Sequence, residues 1–222
     1  MNVLITGSSN GIGLCTAEKF LKEGFEVYGI DLEVGKINNE HYHHFISDIS
    51  HANTLPDLPA MDIIINNAGK QNSSDDITNN LKGTINVTEK YAFHPNLKSI
   101  LFNASASAHT GFEFPEYSAS KAGIIAYMKN VAVRVSKFGA TCNSISCGGV
   151  ITSLNKPVID DEKLWQEIMN VTPLKKWATP SEIAEWIYFL TVINKSATGI
   201  DVLIDNGESN LNCTFVWPNF KK

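Results

Sequence analysis

Short apolar segments alternate with longer amphipathic segments along most of the chain. The apolar segments are rich in β-branched and aromatic residues, which is typical of buried strands. They predict strands at 3–6, 25–30, 45–47, 62–66, 99–103, 141–145 and 201–204. The amphipathic segments predict helices at 11–23, 75–93, 116–138, 161–170 and 180–193. Strands and helices are therefore expected to follow one another in regular alternation.

This alternation determines the expected architecture. Each strand–helix–strand unit makes a right-handed crossover, so successive strands lie parallel and helices cover both faces of the sheet. We therefore predict an α/β fold: a Rossmann-like, doubly wound parallel sheet in a single domain with three α/β/α layers. No internal repeat or low-complexity linker divides the chain, so the domain is expected to span 1–207, followed by a C-terminal tail at 208–222.

Composition narrows the class of protein further. The chain has 222 residues, of which 43% are hydrophobic and 18% charged, as expected for a globular domain with a core. The net charge of −5 and the lack of a basic stripe argue against nucleic-acid binding. No apolar run approaches the ~20 residues that cross a bilayer, and no leader-like segment precedes the first strand, so we expect a cytoplasmic protein without membrane contact. The four cysteines lack metal-ligand spacing, so we expect reduced thiols and no metal site.

A glycine-rich segment connects the first predicted strand to the first predicted helix. Residues 6–13 have the sequence Thr-Gly-Ser-Ser-Asn-Gly-Ile-Gly, with the spacing Gly-x-x-x-Gly-x-Gly rather than the commoner Gly-x-Gly-x-x-Gly. Glycines let the backbone approach a pyrophosphate closely, and the helix N-terminus offers unpaired N–H groups and a partial positive charge. An ordinary glycine-rich turn is the alternative, but the strand before and the helix after it favour a dinucleotide site.

Asp31 stands at the end of the second predicted strand, about 20 residues after Gly11. An acidic residue at this place binds the hydroxyl groups of the adenosine ribose. Its carboxylate repels a 2′-phosphate, and no arginine or lysine lies between Gly7 and Gly13 to attract one. The sequence therefore favours NAD over NADP as the cofactor. The alternative for Asp31 is a solvated turn residue.

Tyr117 and Lys121 are four residues apart in a predicted helix, so their side chains lie on one face, one turn apart. Tyrosine ordinarily titrates near pH ~10, and lowering its pKa to ~7 requires roughly 4 kcal/mol. A unit charge at ~4 Å, under an effective dielectric constant of ~20, supplies about that much. The pair can therefore donate and accept a proton at neutral pH, although tyrosine and lysine are also common on helices.

Taken in order, these motifs resemble those of the short-chain dehydrogenase/reductase family over about residues 2–207. The resemblance also rests on the run Asn-Asn-Ala-Gly at 66–69, and on the segment 143–152, which is similar to the one that holds the nicotinamide carboxamide. Asp48 is similar to the residue that contacts the adenine ring. By this resemblance the cofactor contacts are Gly7, Ser9, Asn10, Gly11, Ile12, Gly13, Asp31, Asp48, Ile49, Asn67, Ala68, Gly69, Tyr117, Lys121, Gly148, Val150 and Thr152. The catalytic residues are Asn80, Ser105, Tyr117 and Lys121.

The resemblance implies an NAD(H)-dependent oxidoreductase that interconverts a secondary alcohol and a ketone by hydride transfer. In the reducing direction Tyr117 would protonate the developing alkoxide, and Ser105 would donate a hydrogen bond to the same oxygen. Lys121 would hold the nicotinamide ribose and lower the pKa of the tyrosine. The main chain of Asn80 would connect Lys121 to solvent through a water molecule, so that protons can return.

The catalytic serine is ambiguous because Ser105 precedes Tyr117 by one residue fewer than the family pattern requires. Ser107 is therefore an alternative. We prefer Ser105 because the strand predicted at 99–103 delivers it to the carboxyl edge of the sheet, where such sites lie.

Two further departures concern Cys147 and the segment between Asp48 and Asn66. Cys147 occupies a position at which proline is usual, and we expect it to fill space rather than to react. The second segment is short for the family, which predicts that its crossover helix is reduced to one turn.

Substrate selection is expected of the segment 153–177, which we call the lid. Its apolar residues have helical spacing and are expected on its inner side: Leu154, Leu164, Trp165, Ile168, Met169 and Trp177. The lid contains no arginine, which disfavours a substrate held through a carboxylate or phosphate. His109 and Phe112 are candidates for the pocket mouth, with a surface histidine as the alternative. The substrate itself is not predicted beyond a small alcohol or ketone.

Two other functions fit parts of the pattern. A dinucleotide-sensing binding protein would share the fold without the chemistry, but it would have no use for Asn80, Ser105, Tyr117 and Lys121 together. A sugar epimerase or dehydratase uses a similar Tyr-Lys pair but needs a larger substrate domain. Members of the resembled family usually associate through the helices that carry Asn80 and Tyr117, which predicts a homodimer or homotetramer.

Overall fold

The computed structural model describes residues 1–112 and 114–211; most of the predicted tail, including Cys213, lies outside these residues. One sheet forms the centre of the molecule. Its strands are β1 (Asn2–Thr6), β2 (Glu26–Asp31), β3 (Tyr42–Ile46), β4 (Ile63–Asn66), β5 (Ser99–Asn103), β6 (Thr141–Cys147) and β7 (Asp201–Ile204). All neighbouring strands are parallel.

Helices connect the strands and cover both faces of the sheet. They are α1 (Gly11–Lys22), α2 (Gly83–Tyr91), α3 (Ser107–Thr110), α4 (Pro115–Val135), α5 (Lys156–Ile159), α6 (Glu162–Val171) and α7 (Pro180–Tyr188). A π-helical turn, Ile77–Lys82, precedes α2, and another, Phe189–Ile193, follows α7. Short 3-10 turns lie at Ala52–Thr54, Ser136–Phe138 and Ser153–Asn155. The predicted α/β class is confirmed.

The order of the strands locates the place where a ligand can bind. Across the sheet the order is β3-β2-β1-β4-β5-β6-β7, so the chain leaves β1 in one direction and returns to its other side with β4. Such a reversal opens a crevice at the carboxyl ends of the strands, because the connections on either side diverge there. This is the doubly wound topology that the sequence predicts.

Successive residues of each strand contribute side chains to two separate hydrophobic cores, because side chains alternate between the two faces of the sheet. In β1, Leu4 belongs to the core under α2 and α4, whereas Val3 and Ile5 belong to the core under α1 and α7. Phe20 of α1 is completely buried and packs edge-on against Phe25, with ring centroids 5.1 Å apart. The two cores fix the sheet between its helical layers and leave the carboxyl edge open.

β3 differs from the prediction, which placed this strand at 45–47. It spans Tyr42–Ile46 and pairs with β2 from Val27 to Asp31. Histidines obscured its beginning: the imidazole of His43 packs on Tyr28 with ring centroids 4.8 Å apart, in a position that an apolar side chain usually fills. The aromatic rings therefore do the packing that hydrophobic residues do in the other strands.

The connection from β3 to β4 is as short as predicted, with the single 3-10 turn Ala52–Thr54 in place of a crossover helix. Two side chains of α2 hold the connection in place. The hydroxyl of Tyr91 donates to the carbonyl of Pro56, and Lys90 Nζ donates to the carbonyl of Leu55 at 2.7 Å. Asp57, also within reach of Lys90, has a fully exposed side chain.

Most of the apolar positions of α4 serve the core of this chain rather than a partner. Ile124, Met128, Val131, Ala132 and Val135 are buried, and Ile125 is half-buried. The homodimer or homotetramer stays a prediction. Among residues 1–112 and 114–211, each helix is too short or too polar to cross a membrane.

Candidate active site

A cleft of about 1350 Å³ opens at the carboxyl edge of the sheet, where the strand order reverses. Most of the predicted site residues line it: Gly7, Asn10, Gly11, Ile12, Asp31, Asp48, Ile49, Asn67, Ala68, Gly69, Ser105, Tyr117, Lys121, Gly148, Val150 and Thr152. Three others, Ser9, Gly13 and Asn80, lie behind the wall of the cleft and support it. The volume exceeds the few hundred cubic ångströms of a small-ligand pocket and suits a dinucleotide with a substrate beside it.

At each glycine of the loop a side chain would be strained or blocked. Gly7 has φ +70° and Gly11 has φ +51°, the left-handed region that glycine adopts without strain. A Cβ on Gly13 would overlap the carbonyl oxygen of Gly7 and lie 2.6 Å from Asn67 Nδ2. Gly13 thus packs α1 against β1 and does not face the cleft. The loop keeps the backbone of the cleft wall bare, as close approach of a pyrophosphate requires.

The N-terminus of α1 suits an anionic group. The first turn of α1 carries no acidic residue, and the side chain of Asn10 makes no capping hydrogen bond to it. The first N–H groups of the helix therefore keep their partial positive charge toward the cleft. Together with the bare glycine loop, this arrangement fits the phosphates of a dinucleotide.

Asp31 is held in one orientation by two backbone amides. Its Oδ2 accepts a hydrogen bond from the N–H of Ser9 at 2.8 Å, and its Oδ1 accepts one from the N–H of Glu33 at 3.0 Å. The side chain therefore connects the end of β2 to the glycine loop and lines the cleft. Fixed carboxylate oxygens in this place suit ribose hydroxyl donors.

A row of amide side chains ties the ends of the central strands together. Asn67 Nδ2 donates to the carbonyl of Thr6 at 3.0 Å, and the N–H groups of Asn67 and Ala68 both donate to Thr6 Oγ1 at 3.0 Å. Asn103 Nδ2 donates in turn to Asn67 Oδ1 at 2.9 Å. Sequence reasoning missed Asn103 as a site residue; its signal was an asparagine ending β5 beside the Asn-Asn end of β4.

Tyr117 and Lys121 lie one turn apart on α4, as their spacing predicts. Lys121 is 4% exposed, and its Nζ donates to the carbonyl of Asn103 at 2.8 Å. The same Nζ lies 5.6 Å from the centre of the Tyr117 ring. Burial lowers the pKa of Lys121 to about 8, while Cys147 and Asp76 act in the opposite direction. At neutral pH the ammonium form still dominates, so a positive charge stands beside the phenol.

Asn80 cross-links two parts of the wall from behind. Its Oδ1 accepts from the N–H of Lys70 at 2.7 Å, and its Nδ2 donates to the carbonyl of Lys70 at 2.8 Å and to Ser120 Oγ at 3.1 Å. It lies in the π-helical turn Ile77–Lys82, a type of turn found frequently at functional sites. The side chain thus joins the segment after Gly69 to the helix that carries Tyr117.

Both candidate serines are buried and line the cleft. The N–H of Ser107 donates to Ser105 Oγ at 3.2 Å, and Ser105 Oγ donates to Ser107 Oγ at 3.3 Å. β5 ends at Asn103, so Ser105 begins the turn into α3 and Ser107 is the first residue of that helix. The preference for Ser105 stays a prediction, with Ser107 as the alternative.

Cys147 lines the cleft near Lys121 but is unsuited to react, and His109 does not line the cleft. Cys147 is buried, its Sγ lies 3.7 Å from Asn103 Oδ1, and burial raises its pKa to about 12. The thiol therefore remains protonated and unreactive. The Nε2 of His109 lies 2.8 Å from Asp201 Oδ2 and 3.2 Å from Ser146 Oγ, so this histidine anchors α3 to β6 and β7. Phe112, in contrast, lines the cleft.

The lid lies at the far end of the cleft, and three of its predicted inner residues, Leu154, Ile168 and Trp177, line it. Met169 and Trp177 are buried, whereas Leu154 is 58% exposed and Leu164, outside the cleft lining, is 38% exposed. The ring of Trp177 lies on Gly149, where any Cβ would overlap it, and meets Trp165 edge-on at 5.2 Å between ring centroids. Two residues assigned by sequence to the tail, Glu208 and Ser209, also line the cleft.

Comparison with known proteins agrees with this geometry. A family model described as enoyl-(acyl carrier protein) reductase matches residues 51–209. Glucose 1-dehydrogenase of Gluconobacter oxydans is 26% identical over 241 residues, covering 92% of this chain and 90% of that protein. The structure of 4-hydroxyisoleucine dehydrogenase with NADH has a TM-score of 0.86 at 23% identity, covering 95% of this chain and 99% of that chain. The structure of ElxO with NADP has a TM-score of 0.83 at 25% identity, covering 93% and 98%.

These matches and the fold define the class as oxidoreductases with a doubly wound α/β sheet. Within that class, the chain belongs to the short-chain dehydrogenase/reductase family, as its motifs imply. Similar structures hold NADH in one case and NADP in another, so membership of the family leaves the choice between the two cofactors to the residues of this cleft.

Proposed function

We propose that this chain is an NAD(H)-dependent oxidoreductase that interconverts a secondary alcohol and a ketone, with Tyr117 as the acid and base. The observation that carries the proposal is the placement of Tyr117 beside the buried ammonium of Lys121, in a cleft of dinucleotide size. The positive charge stabilises the phenolate relative to the phenol, so proton release and uptake both become accessible near neutral pH.

The residues of the cleft fit a nicotinamide dinucleotide. Its phosphates would lie at the bare glycine loop and the N-terminus of α1, and its adenosine ribose at Asp31. When bound, the nicotinamide supplies or accepts the hydride. Fixed carboxylate oxygens at Asp31 favour ribose hydroxyls over a 2′-phosphate, which supports NAD rather than NADP.

The chain's own groups handle the proton and the substrate oxygen. In reduction, the Tyr117 hydroxyl donates its proton to the oxygen of the substrate, and in oxidation the phenolate removes it. The hydroxyl of Ser105, or of Ser107 beside it, donates a hydrogen bond to the same oxygen. Lys121 keeps its charge near the phenol because its Nζ is held by the carbonyl of Asn103. Asn80 holds the turn behind Lys121 in place.

The test is a panel of alcohols and ketones, with the NADH absorbance as the readout, on the wild type and on Tyr117→Phe. Loss of a general acid and base lowers kcat by about 10²–10⁴-fold. We expect this loss while NADH binding, followed by fluorescence titration, is retained, and a preference for NADH over NADPH in the wild type. Ser118→Ala, a buried hydroxyl one residue away that does not line the cleft, is the matched control.

Three results would contradict the proposal or a part of it. If the wild type binds NADH and turns over no member of the panel, a dinucleotide-sensing role replaces the catalytic one. If Tyr117→Phe retains the wild-type kcat, the acid and base is another group. A clear preference for NADPH would overturn the role of Asp31 and leave the reaction type intact.

A further inference from the structure

Glu208 lies in the turn after β7, at the lid end of the cleft. Asp205 builds this turn: its Oδ1 accepts from the N–H of Gly207 and its Oδ2 from the N–H of Ser209, both at 2.8 Å. The carboxylate of Asp205 is therefore directed into its own turn. Glu208, the next acidic residue, lines the cleft from a backbone position that these hydrogen bonds fix.

The carboxylate of Glu208 is held against the lid. Trp177 Nε1 donates to Glu208 Oε2 at 3.3 Å. Thr172 Oγ1 donates to the carbonyl oxygen of Ile168 at 2.8 Å, and it also lies 3.4 Å from Glu208 Oε2. Because the Trp177 ring lies on Gly149, in the segment expected to hold the nicotinamide, this contact places Glu208 on the reacting side of the cleft.

The charges around Glu208 are unfavourable for an anionic substrate. Among the described residues that line the cleft there is no arginine, and the lysines are Lys70 and Lys121. The charge of Lys70 acts on Asp48 at the adenine side, and the ammonium of Lys121 donates to the carbonyl of Asn103. At the lid end the described charged lining residues are therefore Asp205 and Glu208, both acidic.

We propose that Glu208 is a specificity-determining residue that accepts a hydrogen bond from a second donor group of the substrate, a hydroxyl or an ammonium. The proposal rests on the oxidoreductase function proposed above and restricts its substrate class. The substrate is a neutral or cationic alcohol or ketone with a donor remote from the reacting carbon. Carboxylates and phosphates in that position are repelled, because a partly buried acceptor-only group faces them.

The test uses secondary alcohols that share one skeleton, straight-chain or cyclic, and carry a methyl, hydroxyl, ammonium or carboxylate group at the far end. The readout is kcat and KM for each compound with NAD. In the wild type we expect kcat/KM to be higher for the hydroxyl or ammonium compound than for the carboxylate. Glu208→Gln retains the size of the side chain and removes its charge.

A hydrogen bond to a charged group is worth roughly ten- to a hundredfold in binding. We therefore expect Glu208→Gln to reduce the preference for a donor over a carboxylate by about tenfold or more, through KM. The methyl compound should change less than about twofold, as should the affinity for NADH. Glu167→Gln, an exposed lid residue outside the cleft lining, is the control and should leave all ratios unchanged. A larger loss for the ammonium compound than for the hydroxyl compound would identify a cationic substrate.

A second variant keeps the test decisive if Glu208→Gln folds poorly. Trp177→Phe retains an aromatic ring on Gly149 and removes the N–H that orients Glu208, so a smaller loss of the same preference is expected. Equal kcat/KM for donor and carboxylate compounds in the wild type, or an unchanged ratio in both variants, would overturn the role of Glu208 alone. No turnover of any compound would overturn the proposed function and this inference together.

Discussion

The glycine-loop half of the cleft and the lid half differ in what would block a side chain added at a glycine. At Gly13 the obstacle to a side chain is the backbone of Gly7, which cannot move without the sheet. At Gly149 the obstacle is the ring of Trp177, a side chain. The first half is shaped by main chain and by amides that bridge strand ends, whereas the second is shaped by side chains of the lid.

The two halves also differ in how much surface they bury. α1 buries Thr16, Ala17 and Phe20 against the sheet, whereas α6 of the lid buries only Met169. Since burial of apolar surface is the main stabilising contribution, α6 is expected to open at lower free energy than α1. The glycine-loop half, which fits the cofactor, is therefore expected to be rigid. The lid half, which is expected to select the substrate, can change its conformation without unfolding the rest of the chain.

The largest expected effect is a loss of stability caused by a substitution in the glycine-loop half. Gly13→Ala places a methyl group against the Gly7 carbonyl and Asn67, and overpacking of this kind costs about 3 kcal/mol of unfolding free energy. For a chain of this size that corresponds to a fall in Tm of roughly 6–12 °C. Thermal unfolding measures it, and NADH binding should weaken as well.

Gly139→Ala is the control for this prediction. Gly139, unlike Gly13, has a positive φ, +73°, and no atom outside its immediate chain neighbours lies within 4 Å of a Cβ built there. Only the left-handed conformation opposes the methyl group, at a cost of about 1 kcal/mol. Equal losses of stability in the two variants would show that backbone crowding does not distinguish the glycine loop.

The second prediction concerns Lys121, where the two halves meet. Its folded-state pKa of about 8 lies below the ordinary value of 10.5, because burial disfavours the ammonium. Between these values the unfolded chain binds more protons than the folded chain, so stability rises with pH through that window. The rise is about 3 kcal/mol, and it should be absent in Lys121→Met.

At pH 7 the variant no longer buries a charge, but it leaves the carbonyl of Asn103 without its donor, which costs about 1–2 kcal/mol. We expect Lys121→Met to be about 1–2 kcal/mol more stable than the wild type at pH 7 while losing its activity. Urea unfolding of the cofactor-free proteins from pH 7 to pH 10.5 tests this. Parallel pH curves for the two proteins would refute the burial effect.

The smallest expected effects concern two helix caps, one on α7, which packs in the core, and one on α6 of the lid. Thr179 Oγ1 accepts from the N–H of Glu182 at the start of α7, and Asp161 Oδ1 accepts from the N–H of Leu164 at the start of α6. Loss of such a cap costs about 1 kcal/mol. Thr179→Ala should lower the global stability by that amount, because α7 packs in the core.

Asp161→Ala should instead act locally. The same loss at α6 should speed hydrogen exchange in the lid and raise KM, with global stability changed by less than about 0.5 kcal/mol. Denaturant unfolding and hydrogen exchange distinguish the two variants. If Asp161→Ala lowers global stability as much as Thr179→Ala, the lid unfolds with the rest of the chain and the contrast between the halves fails.

The difference between the halves also explains what the sequence could predict. The glycine loop and the Tyr117–Lys121 pair depend on local spacing, and the structure places them as expected. The fold followed from the alternation of strands and helices, except at β3, where histidines replaced apolar residues. In the lid, Leu154 lines the cleft as predicted although it is exposed, whereas Leu164 is exposed outside the cleft lining, because helical spacing does not say how firmly a helix is packed.

Asn103 and Glu208 escaped prediction for a different reason. The role of Asn103 depends on Asn67 and Lys121, which the fold alone brings to it from other elements. Glu208 meets Trp177 across 31 positions of sequence, through a turn that Asp205 organises. Contacts between distant positions leave no periodic signal in a single sequence, and the same holds for the choice between Ser105 and Ser107.

The shortened connection between β3 and β4 makes the chain suitable for engineering. Residues 59 and 60 are exposed. They lie shortly before β4, at the amino edge of the sheet, on the side opposite the cleft. Tyr91 and Lys90 hold the preceding residues, so an inserted peptide would begin after a fixed anchor. Because closing a longer loop adds only ~0.6 kcal/mol for each doubling of its length, a reporter or an affinity tag can be inserted there with both chain ends left untouched.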